Sequence, residues 1–326
     1  MMEDQDKHQY QHFISGQRFK VLLVTVLMSI VGYFLFTLWG GWENVVAAIE
    51  QVGPGGIAVA LGLSLVNYGF RFCRWQYFLG ILGHRIPWKP SLRIYMSGFA
   101  LTTTPGKTGE ALRSVFLKDH GVPFRKSFGA FLSERISDLL SVSLLASTGL
   151  WIYPETRPVL LLVLAVITTI FFVVQKDSWL RWLEKIARKV LTERYAHVAD
   201  FIFESILFFR SCFTAKVVLI GLCFGVLAWT AEAAALCYIT HLLGYDIGML
   251  TAAFIYGFSL VIGGITLLPG GLGGAEITML QLLILNQVPA PVAVAVTIVI
   301  RLTSLWFSVV LGIIALPKDQ ILWKKK

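Results

Sequence analysis

Six stretches of the chain stay apolar for about the twenty residues a helix needs to cross a hydrocarbon core: 19–39, 57–82, 124–150, 158–175, 216–243 and 290–315. Lipid offers no partner to a backbone N–H or C=O, so a single spanning segment must satisfy its own, and only a helix does so. These runs therefore restrict the chain to an all-α polytopic membrane protein. Composition agrees. Of 326 residues, 56% are hydrophobic and 14% charged, where a soluble domain carries about 25% charged residues. The first run is too long for the apolar core of a signal peptide and lacks a small-residue cleavage site, so it is expected to remain as a span.

Two further apolar segments, 91–118 and 249–286, are interrupted by Pro and Gly. The distribution of positive charge decides whether they cross the membrane or dip in and return. If both return, 21 of the 28 Lys and Arg residues share one side: those of the N-terminus, of 85–93, of 118–126, of the long loop 176–215 with Lys216, and of the tail. The opposite side then keeps only Arg157. If each segment crossed once, Lys118, Arg125, Lys126 and the whole 176–216 stretch would change sides. The expected architecture is therefore six full transmembrane helices plus two re-entrant broken-helix hairpins in the cytoplasmic (inner) membrane, with both termini cytoplasmic. Residues 1–18 form an N-terminal tail, 19–316 a single transmembrane domain, and 317–326 a basic tail. Membrane topology accounts for the net charge of +9 without nucleic acid. Within the long loop, residues 178–191 place Trp179, Leu183, Ile186 and Val190 on one helical face and basic residues on the other. This predicts a helix lying on the anionic inner leaflet, or else a docking helix for a partner.

The chain also repeats itself. Leu82-Gly83 and Ile86 match Leu243-Gly244 and Ile247 at an offset of 161, as Tyr95 matches Tyr256. Beyond the breaks the offset is 166: Glu110 matches Glu276, Val122-Pro123 matches Val288-Pro289, and Arg135 matches Arg301. Each copy, about 54–150 and 216–315, reads as span, broken hairpin, span, joined by the span 158–175. The charge-derived topology starts the copies on opposite sides, so the repeat is inverted. Pro/Gly-broken segments at matching positions of inverted repeats point to a transport site near the midplane. The hairpin tips Pro105-Gly106 and Pro269-Gly270-Gly271 would approach each other there. Ordinary kinked helices are the bland alternative.

Eleven charges remain at membrane depth: Arg71, Arg74, Lys107, Arg113, Arg135 and Arg301 against Glu110, Glu134, Asp138, Glu232 and Glu276. Each would cost roughly 2.5–3.5 kcal/mol at the centre of a lipid-facing helix, so they are expected to face one another or water. Glu110 and Glu276 could cap the half-helices after the breaks; Arg135 and Arg301 could clamp those glutamates; Arg71 and Arg74 could snorkel toward the surface. The alternative role is to line a passage for an anionic headgroup, whose phosphate oxygens match guanidinium donors in pairs. The "GKT" of "TTTPGKTGEALR" (102–113) is no nucleotide loop, because Leu101 stands where that motif needs glycine. Cys73, Cys212, Cys223 and Cys237 lack CxxC spacing and read as packing residues; neither they nor the six histidines imply a metal or cofactor.

"PGKTGEALR" (105–113), "SERISDLL" (133–140) and "LPGGLGGAE" (268–276), followed by Arg301, resemble the lysylphosphatidylglycerol synthase transmembrane family. This is the flippase region of multiple-peptide-resistance-type proteins, also found as a stand-alone membrane protein. The resemblance spans about 20–316 and rests on Gly109, Glu110, Arg113, Glu134, Arg135 and Asp138. It implies lipid translocation between leaflets; the chain departs from the fused members in lacking their soluble synthase domain, which leaves the lipid open. Three functions are weighed: a flippase for a phospholipid, glycolipid or polyprenyl-phosphate-linked sugar; a membrane enzyme using Glu134 and Asp138 as acid and base; and a scaffold for a lipid- or glycan-modifying enzyme. No nucleophile or metal constellation supports the enzyme. The expectation is a non-enzymatic flippase whose partners are membrane lipids.

Overall fold

A computed structural model describes residues 41–104, 110, 113–190, 193–266, 271 and 273–316, with 27, 31, 32, 34, 35 and 38 as isolated positions. Every regular element among them is helical. The expected span 19–39 otherwise lies outside the described residues.

Helix α1, Trp42–Ile81, begins well before the expected 57. Its one non-helical residue is Gly53 (φ 65°, ψ 172°), a backbone conformation essentially restricted to glycine. Pro54 then restarts the helix where its missing N–H has no role. The stretch 40–56, between the expected spans 19–39 and 57–82, is thus mostly helical, because Val45, Ala48 and Val52 bury against the core.

The broken segment 91–118 becomes α2 (Trp88–Ser97), a 3-10 turn (Gly98–Leu101) and the short α3 (Arg113–Lys118). Helix α4 (Phe124–Ala146) tightens into a 3-10 turn at Ser147–Gly149, and α5 (Arg157–Gln175) follows. Within the long loop 176–215, α6 (Asp177–Val190) is the helix expected at 178–191, and α7 (Glu193–Ser211) is a second helix not expected from the sequence. α7 forms because it has a surface to bury against: Phe201 sits 5.4 Å from the ring of Phe124 and 5.3 Å from that of Phe128 on α4. Arg125 and Glu204 pair across the same contact.

The second half holds α8 (Ala215–Leu242), α9 (Met249–Ile265), α10 (Gly274–Leu285) and α11 (Ala290–Arg301). A π turn (Leu302–Trp306) leads into α12 (Phe307–Ala315).

Among the described residues, four helices are long and apolar enough to cross a membrane: Trp42–Ile81, Pro154–Gln175, Ala215–Leu242 and Ala290–Ala315. Helix α4 has 23 residues, about 35 Å of length, but carries Arg125, Lys126, Glu134, Arg135 and Asp138. Exposed leucines and isoleucines such as Leu161, Leu219, Leu250 and Ile314 give the outer surface the apolar character that lipid requires.

At the centre α1 packs along α8. α4 lies against α8 and α9, α11 against α1, and α12 against α2 and its 3-10 turn. Glycine permits two of these approaches: a Cβ on Gly312 of α12 would stand 2.1 Å from the Ala100 nitrogen of the 3-10 turn, and one on Gly257 of α9 2.7 Å from the Val142 carbonyl oxygen of α4.

Candidate functional site

Arg71 and Arg74 lie one turn apart on α1, facing Glu134, Arg135 and Asp138 on α4. Arg74 is fully buried and bridges Asp138; Arg71 stands 3.6 Å from the same carboxylate. Arg113 reaches Glu134 at 2.9 Å and Glu110 at 3.3 Å, and its Nε donates to the Glu110 carbonyl at 3.1 Å. Arg135 spans Glu110 and Asp138, 3.2 Å from each. The Thr102 hydroxyl donates to Glu110 at 2.6 Å. Aromatic faces complete the wrapping: Arg113 lies 4.6 Å from the ring centre of Trp75 and 4.8 Å from that of Tyr95. Buried charges need compensation, and each carboxylate of this cluster has an arginine within ion-pair distance.

The second half builds a smaller counterpart. Glu276 sits in the first turn of α10 and Arg301 ends α11. The Arg301 Nε and Nη2 both lie 2.6 Å from Glu276 Oε1. Arg135–Glu110 and Arg301–Glu276 are therefore matching pairs.

Three contacts tie the halves together at the α1–α8 crossing and beside it. The Tyr68 hydroxyl donates to the Ser304 carbonyl in the π turn. Trp229 Nε1 donates to Asp138 Oδ1 at 3.2 Å. Asn67 Nδ2 donates to the Ala228 carbonyl at 2.8 Å. Between them lies a cavity of about 40 Å³, lined by Tyr68, Arg71, Trp229, Glu232, Tyr256 and Arg301 among others. It has room for a few waters. Around Arg71, Phe99 and Trp229 present their rings 5.4 and 5.1 Å from the guanidinium carbon.

The structure brings together ten of the eleven interior charges expected from the sequence; Lys107 lies outside the described residues, as do Pro105, Gly106, Pro269 and Gly270. Gly271 is described, with φ 72°. Of the alternatives open for Arg71 and Arg74, snorkelling is not the one adopted: they are 4% and 0% exposed, with Asp138 beside them. Glu110, just ahead of α3, turns its carboxylate to Arg113 and Arg135. Cys73 and Cys223 are exposed, so only Cys212 is a fully buried packing residue. Asn67, Tyr68, Trp229 and Ser304 were missed as site residues. The offset of 161 would have flagged two of them, since Tyr68 and Trp229 occupy matching positions.

Residues 19–312 match the lysylphosphatidylglycerol synthase TM region. A UPF0104 membrane protein of Pyrococcus horikoshii is 23% identical, the alignment covering 92% of this chain and 97% of the relative. One from Methanocaldococcus jannaschii is 22% identical over 92% and 96%. A glycosyltransferase of Haloferax volcanii, AglD, matches in part: 25% identity over 40% of this chain and 21% of that protein. The two UPF0104 relatives are covered almost end to end and carry no synthase domain. With the match running through both charge pairs and the cavity between them, the chain belongs to the lysylphosphatidylglycerol synthase TM-region family.

Proposed function

We propose that the chain moves a lipid with a polar or anionic headgroup between membrane leaflets, through a passage between two inverted copies. In this reading the copies are about 54–150 and 216–315, each with a re-entrant hairpin, and six spans leave both termini on the cytoplasmic side. The lipid is a phospholipid, a glycolipid or a polyprenyl-phosphate-linked sugar.

The observation that carries the reading is an exchange of contacts between positions related by the two sequence offsets. Positions 68 and 229 differ by 161, and positions 138 and 304 by 166, so Tyr68–Ser304 is the image of Trp229–Asp138. Arg135–Glu110 is likewise the image of Arg301–Glu276. Asn67 bonds Ala228, its own image 161 residues on. Contact between a position and its image is the mark of a two-fold interface, in which each side presents the same patch. Charge asymmetry puts the axis in the membrane plane, the arrangement that lets one site open to either side. A cavity on that axis, lined by both copies and holding arginine and glutamate, is where a headgroup would pass.

A second reading, a non-transporting scaffold for an envelope-lipid or glycan enzyme, draws on the partial likeness to the glycosyltransferase AglD. Proteoliposomes separate the two. Lipids labelled on an acyl chain, together with a polyprenyl-phosphate sugar, are exposed to an external quencher or digesting enzyme. Wild type is expected to speed access to inner-leaflet lipid, and Arg135→Ala and Arg301→Ala to abolish the acceleration. No acceleration for any lipid, with or without a proton gradient, favours the scaffold.

A further inference from the structure

The central cavity is lined by buried groups of opposite kind: Arg71 donors and an Asn67 acceptor that have no hydrogen-bond partner among the described residues, and a carboxylate, Glu232, held by a hydroxyl. Arg71 is 4% exposed, and its Nε and Nη2 donate to no acceptor among the described residues. Asp138 Oδ2, at 3.6 Å, balances its charge from beyond hydrogen-bonding range. Phe99 and Trp229 lie beside the guanidinium, and an N–H group donates only in the guanidinium plane, so an acceptor must come in at the edge.

The other set consists of acceptors. Glu110, Glu134, Asp138 and Glu276 are each bridged to an arginine, whereas Glu232, 1% exposed, forms no ion pair among the described residues. Its hydrogen bond comes from the Ser64 hydroxyl at 3.2 Å. One turn along α1 from Ser64, Asn67 spends its amide nitrogen on Ala228, which fixes Oδ1 as the free end; that oxygen, also buried, accepts nothing. Arg71 and Glu232 are themselves 161 residues apart, so the two copies place opposite charges at matching positions across the axis.

Buried donors and acceptors left unmatched cost about 1–3 kcal/mol each. A ligand that recovers that cost here must bring an acceptor to Arg71 and an N–H donor to Glu232 and Asn67. A purely anionic headgroup would be repelled by Glu232, and a purely cationic one by Arg71 and Arg301. We infer that the cavity recognises a zwitterionic headgroup, a phosphate held at the edge of Arg71 with Arg301 beside it and a primary ammonium held by Glu232 and Asn67. This rests on the transport reading above, and the headgroup enters when the copies part, since the cavity as it stands holds only a few waters.

The test compares wild-type proteoliposomes carrying acyl-labelled phosphatidylethanolamine, phosphatidylcholine or phosphatidylglycerol, alongside uptake of radiolabelled soluble phosphoethanolamine. Wild type is expected to move the ethanolamine lipid roughly tenfold or more faster than the other two, the scale of one charge-assisted hydrogen bond. The choline lipid fails because its quaternary nitrogen has no N–H, and the glycerol lipid because it has no cation. Glu232→Gln is expected to bring the ratio of the ethanolamine-lipid rate to the phosphatidylglycerol rate down to about one. Equal wild-type rates for the three lipids overturn the inference and leave transport standing, without reliance on any variant folding. No movement of any substrate overturns both. Uptake of soluble phosphoethanolamine with no lipid movement keeps the recognition chemistry and removes the lipid as its source.

Discussion

Arg113 illustrates how much one buried side chain organises. It pairs with Glu110 and Glu134, donates to a backbone carbonyl, and fills the space between Trp75 and Tyr95. Removing one partner from a buried ion cluster leaves the others uncompensated, a loss of about 3–5 kcal/mol. Arg113→Ala is therefore expected to lower the melting temperature of the detergent-solubilised protein sharply. Arg113→Lys should recover only part of it, because an ammonium cannot make the planar, forked contacts. A lysine variant as stable as wild type would mean that charge alone matters at this position. The sequence shows that such charges must pair, but the identity of the partners depends on which turns of α1 and α4 face each other.

At the scale of elements, close helix approach governs stability. α9 meets α4 at Gly257, where a Cβ would also stand 2.8 Å from the Ala146 nitrogen, while Gly264 on the same helix has no neighbour within 4 Å. The same substitution should thus have opposite signs. Gly257→Ala is expected to destabilise by forcing two backbones apart. Gly264→Ala should be neutral or stabilising by up to about 1 kcal/mol, the helix-propensity gain. Thermal unfolding of both variants checks this, and equal effects would refute the close packing of α9 on α4. The two proposed copies also differ as elements. α4 is regular where the second copy has its π turn just after Arg301, and π turns often mark functional sites. Nothing in "RLTSLW" predicts that turn.

For the whole molecule, the proposed re-entrant topology makes a direct prediction about sidedness. In a background without the four native cysteines, Asp246→Cys is expected to react with an impermeant maleimide in intact cells. Asp119→Cys should react only after the membrane is permeabilised. Labelling of position 119 in intact cells would mean that the first broken segment crosses the bilayer once, and the inverted arrangement would fall with it.

The sequence by itself determined the all-helical membrane class, the breaks in the two short segments, the set of interior charges and the offsets that relate the copies. Each of these follows from local physics: backbone groups that lipid cannot satisfy, Pro and Gly that interrupt helices, and charges that cannot face hydrocarbon. Only the tertiary structure decided that 42–52 and 193–211 are helices, because their apolar faces acquire meaning only against the core and α4. It also decided that Arg71 and Arg74 turn inward, and that Tyr68 and Trp229 cross to the opposite copy. Helical periodicity determines which residues share a face of one helix; which face meets which partner is a property of the packed whole.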